Sequence, residues 1–293
     1  MLADSFSRFL STRILDSKFM KISITLTTGI SALLLASCAS GPSPLPPEAP
    51  SAVALSSGKD GRQLLTTAAR KQGNELNRYR EVTVGYDGEW STFPKLTQHV
   101  LVDPDFRGSS EERYQPARGL VVQTHRGKGG EKAVQRVRGE SIDVSYAGEA
   151  NVDGDVKAAA AFVADAYAMF LFGSSWLLDQ GQEFRYLGTG EVSGNVCELV
   201  EIILTPGLGL ADRDRVIAFI DAETGLLRRV HFTMNGLEST QGAQVDVTFD
   251  EFLTASDGSV WPTHFVEMIR RPVNTKAHEW WTTSLSLDGG KVK

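Results

Sequence analysis

Cys38 is the residue best placed to do chemistry in this chain, because its thiol closes the run Leu35-Ala36-Ser37-Cys38 directly after an apolar segment. From Ile24 to Leu35 the residues are mostly apolar or small, and Lys18 and Lys21 supply a positive flank. A positive flank, a short apolar stretch and small residues at the cut are the parts of an export signal. The stretch is too short to span a bilayer comfortably. Met20-Lys21-Ile22-Ser23 reads as a natural signal start, so Met1 and Met20 are both candidate starts.

The other reactive side chains form no local set. Cys197 is the second of 2 cysteines. It reads as a buried thiol in a strand from Val196 to Leu204. His99, His125, His231, His264 and His278 are scattered, and His264 and Glu267 fall on opposite faces of a strand. Asn151-Val152-Asp153-Gly154-Asp155 has its glycine at the fourth place of a calcium loop instead of the sixth, and the twelfth place falls on Phe162. Gly188-Thr189-Gly190-Glu191-Val192-Ser193-Gly194 is spaced wrongly for a dinucleotide loop and reads as a turn. Asp212-Arg213-Asp214-Arg215 reads as a solvated loop entering a strand. No metal, cofactor or catalytic residue is expected.

The elements that must carry these residues are mostly strands. Residues 61 to 80 have the spacing of one amphipathic helix. Short alternating runs follow: Val82 to Tyr86, His99 to Leu101, Gly119 to His125, Ala133 to Val137 and Ser141 to Tyr146. Lys157 to Leu178 is apolar nearly throughout and reads as a helix buried on more than one side. Asp165 and Gly173-Ser174-Ser175 interrupt it, which argues against a membrane span. The last third reads as a β-meander with strands at Glu198 to Leu204, Arg215 to Ile220, Leu226 to Thr233, Gln244 to Leu253, Val260 to Ile269 and Glu279 to Leu287. Each strand has one apolar face to cover, so the expected class is α+β: a strongly curved antiparallel sheet covered by helices.

The phrases Ile220-Asp221-Ala222-Glu223-Thr224-Gly225-Leu226 and Asp257-Gly258-Ser259-Val260-Trp261-Pro262 resemble the LolA/LolB-like superfamily of lipoprotein carriers and receptors. In that superfamily an incomplete β-barrel is closed by helices. The resemblance implies a half-barrel cavity for acyl chains or another amphiphile, with Phe162, Met169, Phe170, Phe172, Trp176, Leu177 and Trp280 as its lining. The N-terminal run Leu35-Ala36-Ser37-Cys38 in turn resembles a bacterial lipoprotein signal, which implies cleavage between Ser37 and Cys38, diacylglycerol on the Cys38 thiol, acylation of its new amino group and attachment to a membrane. Ala39 in place of Asp implies the outer membrane, facing the periplasm.

The expected organisation is therefore a signal peptide over 1–37, a lipidated cysteine and Pro/Ser/Ala-rich tether over 38–60, and a half-barrel over 61–293. The signal carries four basic residues (Arg8, Arg13, Lys18, Lys21) and two acidic ones (Asp4, Asp16), so the mature chain is more acidic than the net −6 of the whole. That charge argues against a nucleic-acid partner. The expected role is non-enzymatic binding of a hydrophobic ligand or lipoprotein. A filled-core interaction lipoprotein and, further off, a hydrolase assembled from distant His, Asp and Glu residues stay open as alternatives.

Overall fold

Period-two burial runs along the strands as the alternation requires. Val245, Val247 and Phe249 enter the main core while Asp246, Thr248 and Asp250 face away. The computed structural model describes residues 45–293; the signal segment, Ser37 and Cys38 lie outside the described residues.

The strands are β1 (Val82–Trp90), β2 (Ser109–Gln115), β3 (Leu120–Gly127), β4 (Gly130–Val137), β5 (Ser141–Tyr146), β6 (Glu149–Asn151), β7 (Gly181–Val192), β8 (Asn195–Leu204), β9 (Asp214–Asp221), β10 (Leu227–Met234), β11 (Ala243–Thr254), β12 (Val260–Arg271), β13 (Thr275–Leu287) and β14 (Gly290–Lys291). The helices are α1 (Ala52–Ser57), α2 (Gly61–Gln72), α3 (Thr92–Thr97), α4 (His99–Val102), α5 (Gly154–Phe172) and α6 (Ser174–Gln180). All neighbouring strands pair antiparallel in one open sheet of order β6-β5-β4-β3-β2-β1-β13-β12-β11-β10-β9-β8-β7, with β14 added to β13. Two meanders, β1–β6 and β7–β13, meet along the β1–β13 pairing, and β6 and β7 are the free edges.

Helix α5 lies against the concave face. Asp153 caps it by accepting from the backbone N–H groups of Asp155 and Val156, and every residue from Ala159 to Phe172 is buried. The rings of Phe170 lie against Phe232, Phe249 and Phe265, and Phe172 against Tyr114 and Trp261. The helix thus touches strands from both meanders. Gly173, at φ 53° and ψ −122°, ends it and turns the chain into α6. One apolar segment therefore makes two helices, broken where Gly173-Ser174-Ser175 interrupts the pattern.

Asp165 is the charged residue buried on α5. Its carboxylate pairs with Arg136 at 3.3 Å and with Arg138, and accepts from the Gly209 N–H at 2.9 Å. Helix, sheet and the 205–213 loop are tied together at this one side chain. Gly209 has φ 63°, and a Cβ there would sit 2.8 Å from the Phe162 Cα, so the loop approaches α5 as closely as glycine allows.

Several sequence expectations are corrected. His99 to Leu101 is helical, in α4. Gly188 to Val192 continues β7, and the turn is confined to Ser193 and Gly194. The tether is structured before residue 60: Ser51 caps α1, Ala54 is buried, and Arg215 and Arg185 donate to the carbonyls of Pro47 and Glu48 at 2.8 and 3.3 Å. Its proline content removes donors but leaves carbonyls free to accept.

Asp214 is not solvated. It is buried at the start of β9, where it accepts from the Leu208 N–H at 2.6 Å and from Asn235 at 2.8 Å. Burial pushes its carboxyl up to about 6, although those hydrogen bonds oppose the rise. The native state therefore holds this proton more tightly than the unfolded chain, whose carboxyl titrates near 3.9. Stability from this group is full below about pH 4 and is lost as pH rises through about 6. Asp214→Asn should flatten that slope and raise the urea midpoint at pH 7.5 but not at pH 4; equal losses at both pH values would refute the assignment.

Candidate functional site

Strand β1 ends at Trp90, and the chain then crosses one end of the sheet as α3 and α4 before β2 begins. Pro94 falls in the first turn of α3, where its missing N–H costs nothing. Asp103, at φ 47°, ends α4 and donates its N–H to the His99 carbonyl. Its carboxylate accepts from Lys132 and from the Tyr146 hydroxyl, both at 2.7 Å. Arg107 donates to the Leu101 carbonyl at 2.9 Å and to the Tyr167 hydroxyl at 3.0 Å. Gln98 donates to the Ser239 carbonyl at 3.1 Å. The two short helices are thus held open above the sheet by polar ties at their ends.

Between them and the sheet runs a groove of about 460 Å³. One wall is Phe93, Pro94 and Leu101 with Trp90 at the back; the other is Met234, Val245, Ile269 and Ala277, from β10, β11, β12 and β13. Its size falls within the range of small-molecule sites. Its polar groups are few. The Trp90 indole N–H and the Gln98 amide oxygen are buried there without partners, and the Glu267 carboxylate lies 3.1 Å from His278 Nε2.

Behind the groove the inner face of β1–β5, apolar further along at Val82, Val84, Val121, Val134 and Val144, carries polar groups at its α3–α4 end. Tyr86, Ser110, His125, Lys132 and Tyr146 stand in register across five strands, and Glu112 lies one pleat further along. Burial pushes the Glu112 carboxyl up, although Tyr114 hydrogen-bonds to it. Burial, reinforced by Arg107 and Lys132, drives His125 well below its ordinary range, so its imidazole stays neutral. On the opposite face of the sheet His264 sits between Asp250 at 2.5 Å and Glu279 at 3.0 Å, stacked on the half-exposed Trp281. Among the described residues no group of three or more His, Cys, Asp or Glu side chains is placed to hold a metal ion.

The residues expected to line a cavity lie elsewhere. Phe162, Met169, Phe170, Phe172, Trp176, Leu177 and Trp280 are all buried in the packed core. Phe172 and Trp176 border a pocket of about 60 Å³; the groove touches none of the seven. The reason is α5: apolar on every side, it fills the trough that an amphipathic helix would have left partly open. Cys197 is a buried strand thiol, pushed up to about 11 by burial. The groove was not legible in the sequence because its walls come from two distant stretches of the chain, 90–102 and 234–277. Phe93 and Leu96, apolar residues beside a proline, were the available signal.

No family model matches the chain, and no curated protein matches it. Solved structures do show similarity. A DUF1329 family protein from Desulfovibrio piger is 12% identical, over 79% of this chain and 95% of that one, with a TM-score of 0.48. A putative outer membrane lipoprotein-sorting protein domain from Vibrio parahaemolyticus is 12% identical, over 77% and 92%, at 0.43. A LolA superfamily protein from Nitrosomonas europaea is 10% identical, over 78% and 94%, at 0.49.

Proposed function

We propose that this chain is a lipid-anchored, non-enzymatic envelope protein that takes the acyl part of an amphiphile, free or carried by a lipoprotein, into the groove beside Trp90. The observation that supports this is the groove itself: about 460 Å³, walled by Phe93, Leu101, Met234 and Ile269, with unpartnered polar atoms at Trp90 and Gln98. An apolar chain gains from the walls, because seating it there removes the apolar surface of both from water. Diacylglycerol on Cys38 anchors the domain, and Ala39 directs it to the outer membrane with the domain facing the periplasm. The filled-core interaction lipoprotein is the second reading, and the burial of α5 on every side favours it.

Full-length protein extracted from membranes should carry an acyl species in native mass spectra and bind an apolar naphthylamine dye. Ile269→Glu places a carboxylate in the groove wall and should weaken dye binding at least tenfold, about 1.4 kcal/mol, with the circular dichroism spectrum unchanged. Protein free of acyl species that also fails to bind the dye would leave the filled-core reading standing.

A further inference from the structure

Strand direction alternates along the sheet, so one end of it gathers a defined set of connections: α3–α4 after β1, the 205–213 loop between β8 and β9, and the 272–274 turn between β12 and β13. These connections carry Phe93, Leu96, Val100, Leu210 and Val273, half of the large apolar residues exposed among the described residues. Leu96 is 69% exposed and Leu210 53%, far more than packing would leave. This is also the end where the groove lies. Exposed cations (Lys95, Arg213, Arg271) and exposed acids (Asp212, Glu238) share the rim, so no single sign of charge dominates it.

The N-terminal segment leaves the domain at the same end. Arg215, the second residue of β9, holds the Pro47 carbonyl, and the chain then runs along β7 to Ser51, whose N–H donates to the Leu187 carbonyl at 3.3 Å. Cys38 stands seven positions before Leu45, a reach of about 25 Å at full extension. The opposite end of the longer strands lies about 40 Å away along the sheet. An anchor at Cys38 therefore holds the groove end, and not the other, near the lipid.

We infer that the rim formed by Phe93, Leu96, Val100, Leu210 and Val273 docks on the bilayer surface, so that the groove opens toward lipid. The inference draws on the anchoring reading but has its own readout. Apolar side chains scattered over several connections insert shallowly at the headgroup boundary, and the anchored segment keeps them at high local concentration there.

The test uses the full chain on phosphatidylcholine–phosphatidylglycerol vesicles that contain a doxyl-labelled quencher lipid. An environment-sensitive dye is attached at Leu96→Cys, at Leu210→Cys and, as the reference at the opposite end, at Glu140→Cys, which lies between β4 and β5. Buried Cys197 stays unlabelled at neutral pH. Quenching should be several-fold stronger at 96 and 210 than at 140, and Leu96→Asp combined with Val100→Asp should abolish it at 210. Equal quenching at the three positions, or stronger quenching at 140, would overturn the docking surface. The mass of the N-terminal peptide reports separately whether Cys38 carries lipid, so failure of the anchor and failure of the rim are distinguishable.

Discussion

Asp165→Ala should cost about 3–5 kcal/mol of folding stability, the range for removing one partner of a buried ion pair. The Asp165 side chain is almost wholly buried between Arg136 and Arg138, and it also accepts from the Gly209 backbone. Truncation leaves two guanidinium groups facing an apolar helix with no carboxylate between them. Arg136 keeps the Gly209 carbonyl, and Arg138 keeps Gln180 and the carbonyls of Pro206 and Gly207. Those neutral acceptors compensate only in part. Urea unfolding of the single variant and of the triple variant Asp165→Leu, Arg136→Met, Arg138→Met separates charge from packing. The triple variant should recover most of the loss, because an apolar replacement removes the uncompensated charges with their partner. A triple variant as unstable as Asp165→Ala would show that the site matters through shape.

Phe170→Ala should lose a similar amount, about 3–5 kcal/mol, for a different reason. Its ring is packed among Tyr167, Phe232, Phe249 and Phe265, with centroids 5.4 to 6.2 Å apart. Those neighbours come from α5, β10, β11 and β12, and a rigid sheet cannot close over the gap, so a cavity persists. Phe170→Leu should recover more than half of the loss, since it refills most of that volume. Denaturant midpoints with unchanged slopes are the check. A loss below about 1 kcal/mol for Phe170→Ala would mean that the concave face is loosely packed, and would return the interior to consideration as a ligand cavity.

What could be read from the sequence follows the physics of each segment. The C-terminal strands were legible because Val245, Val247 and Phe249 alternate with polar residues, and α5 because an apolar run of its length has one economical solution. Strand β2 was not legible: Ser109-Ser110-Glu111-Glu112-Arg113-Tyr114-Gln115 turns a glutamate inward, and its polarity disguises the alternation. Helices α3 and α4 span one or two turns each, too few for a 3.6-residue period to show against the strand-like His99-Val100-Leu101. The seven residues expected as lining lie in the core, where the neighbours of Phe170 and Phe172 are set by strand pairing. The groove and the His264 pairing with Asp250 and Glu279 both depend on strand register, which no local pattern carries.

The seam between β1 and β13 also has a consequence for the order of events in folding. Each meander is built from hairpins whose partners are close in sequence and can close early, whereas this pairing joins one of the first strands of the described chain to one of the last. Closing so large a loop carries the highest entropy cost in the sheet. Trp90 and Ala277, which both line the groove, lie on the two sides of that seam. A chain whose last strands are not yet in place therefore has no groove at all, and its sheet wall forms only when β12 and β13 arrive.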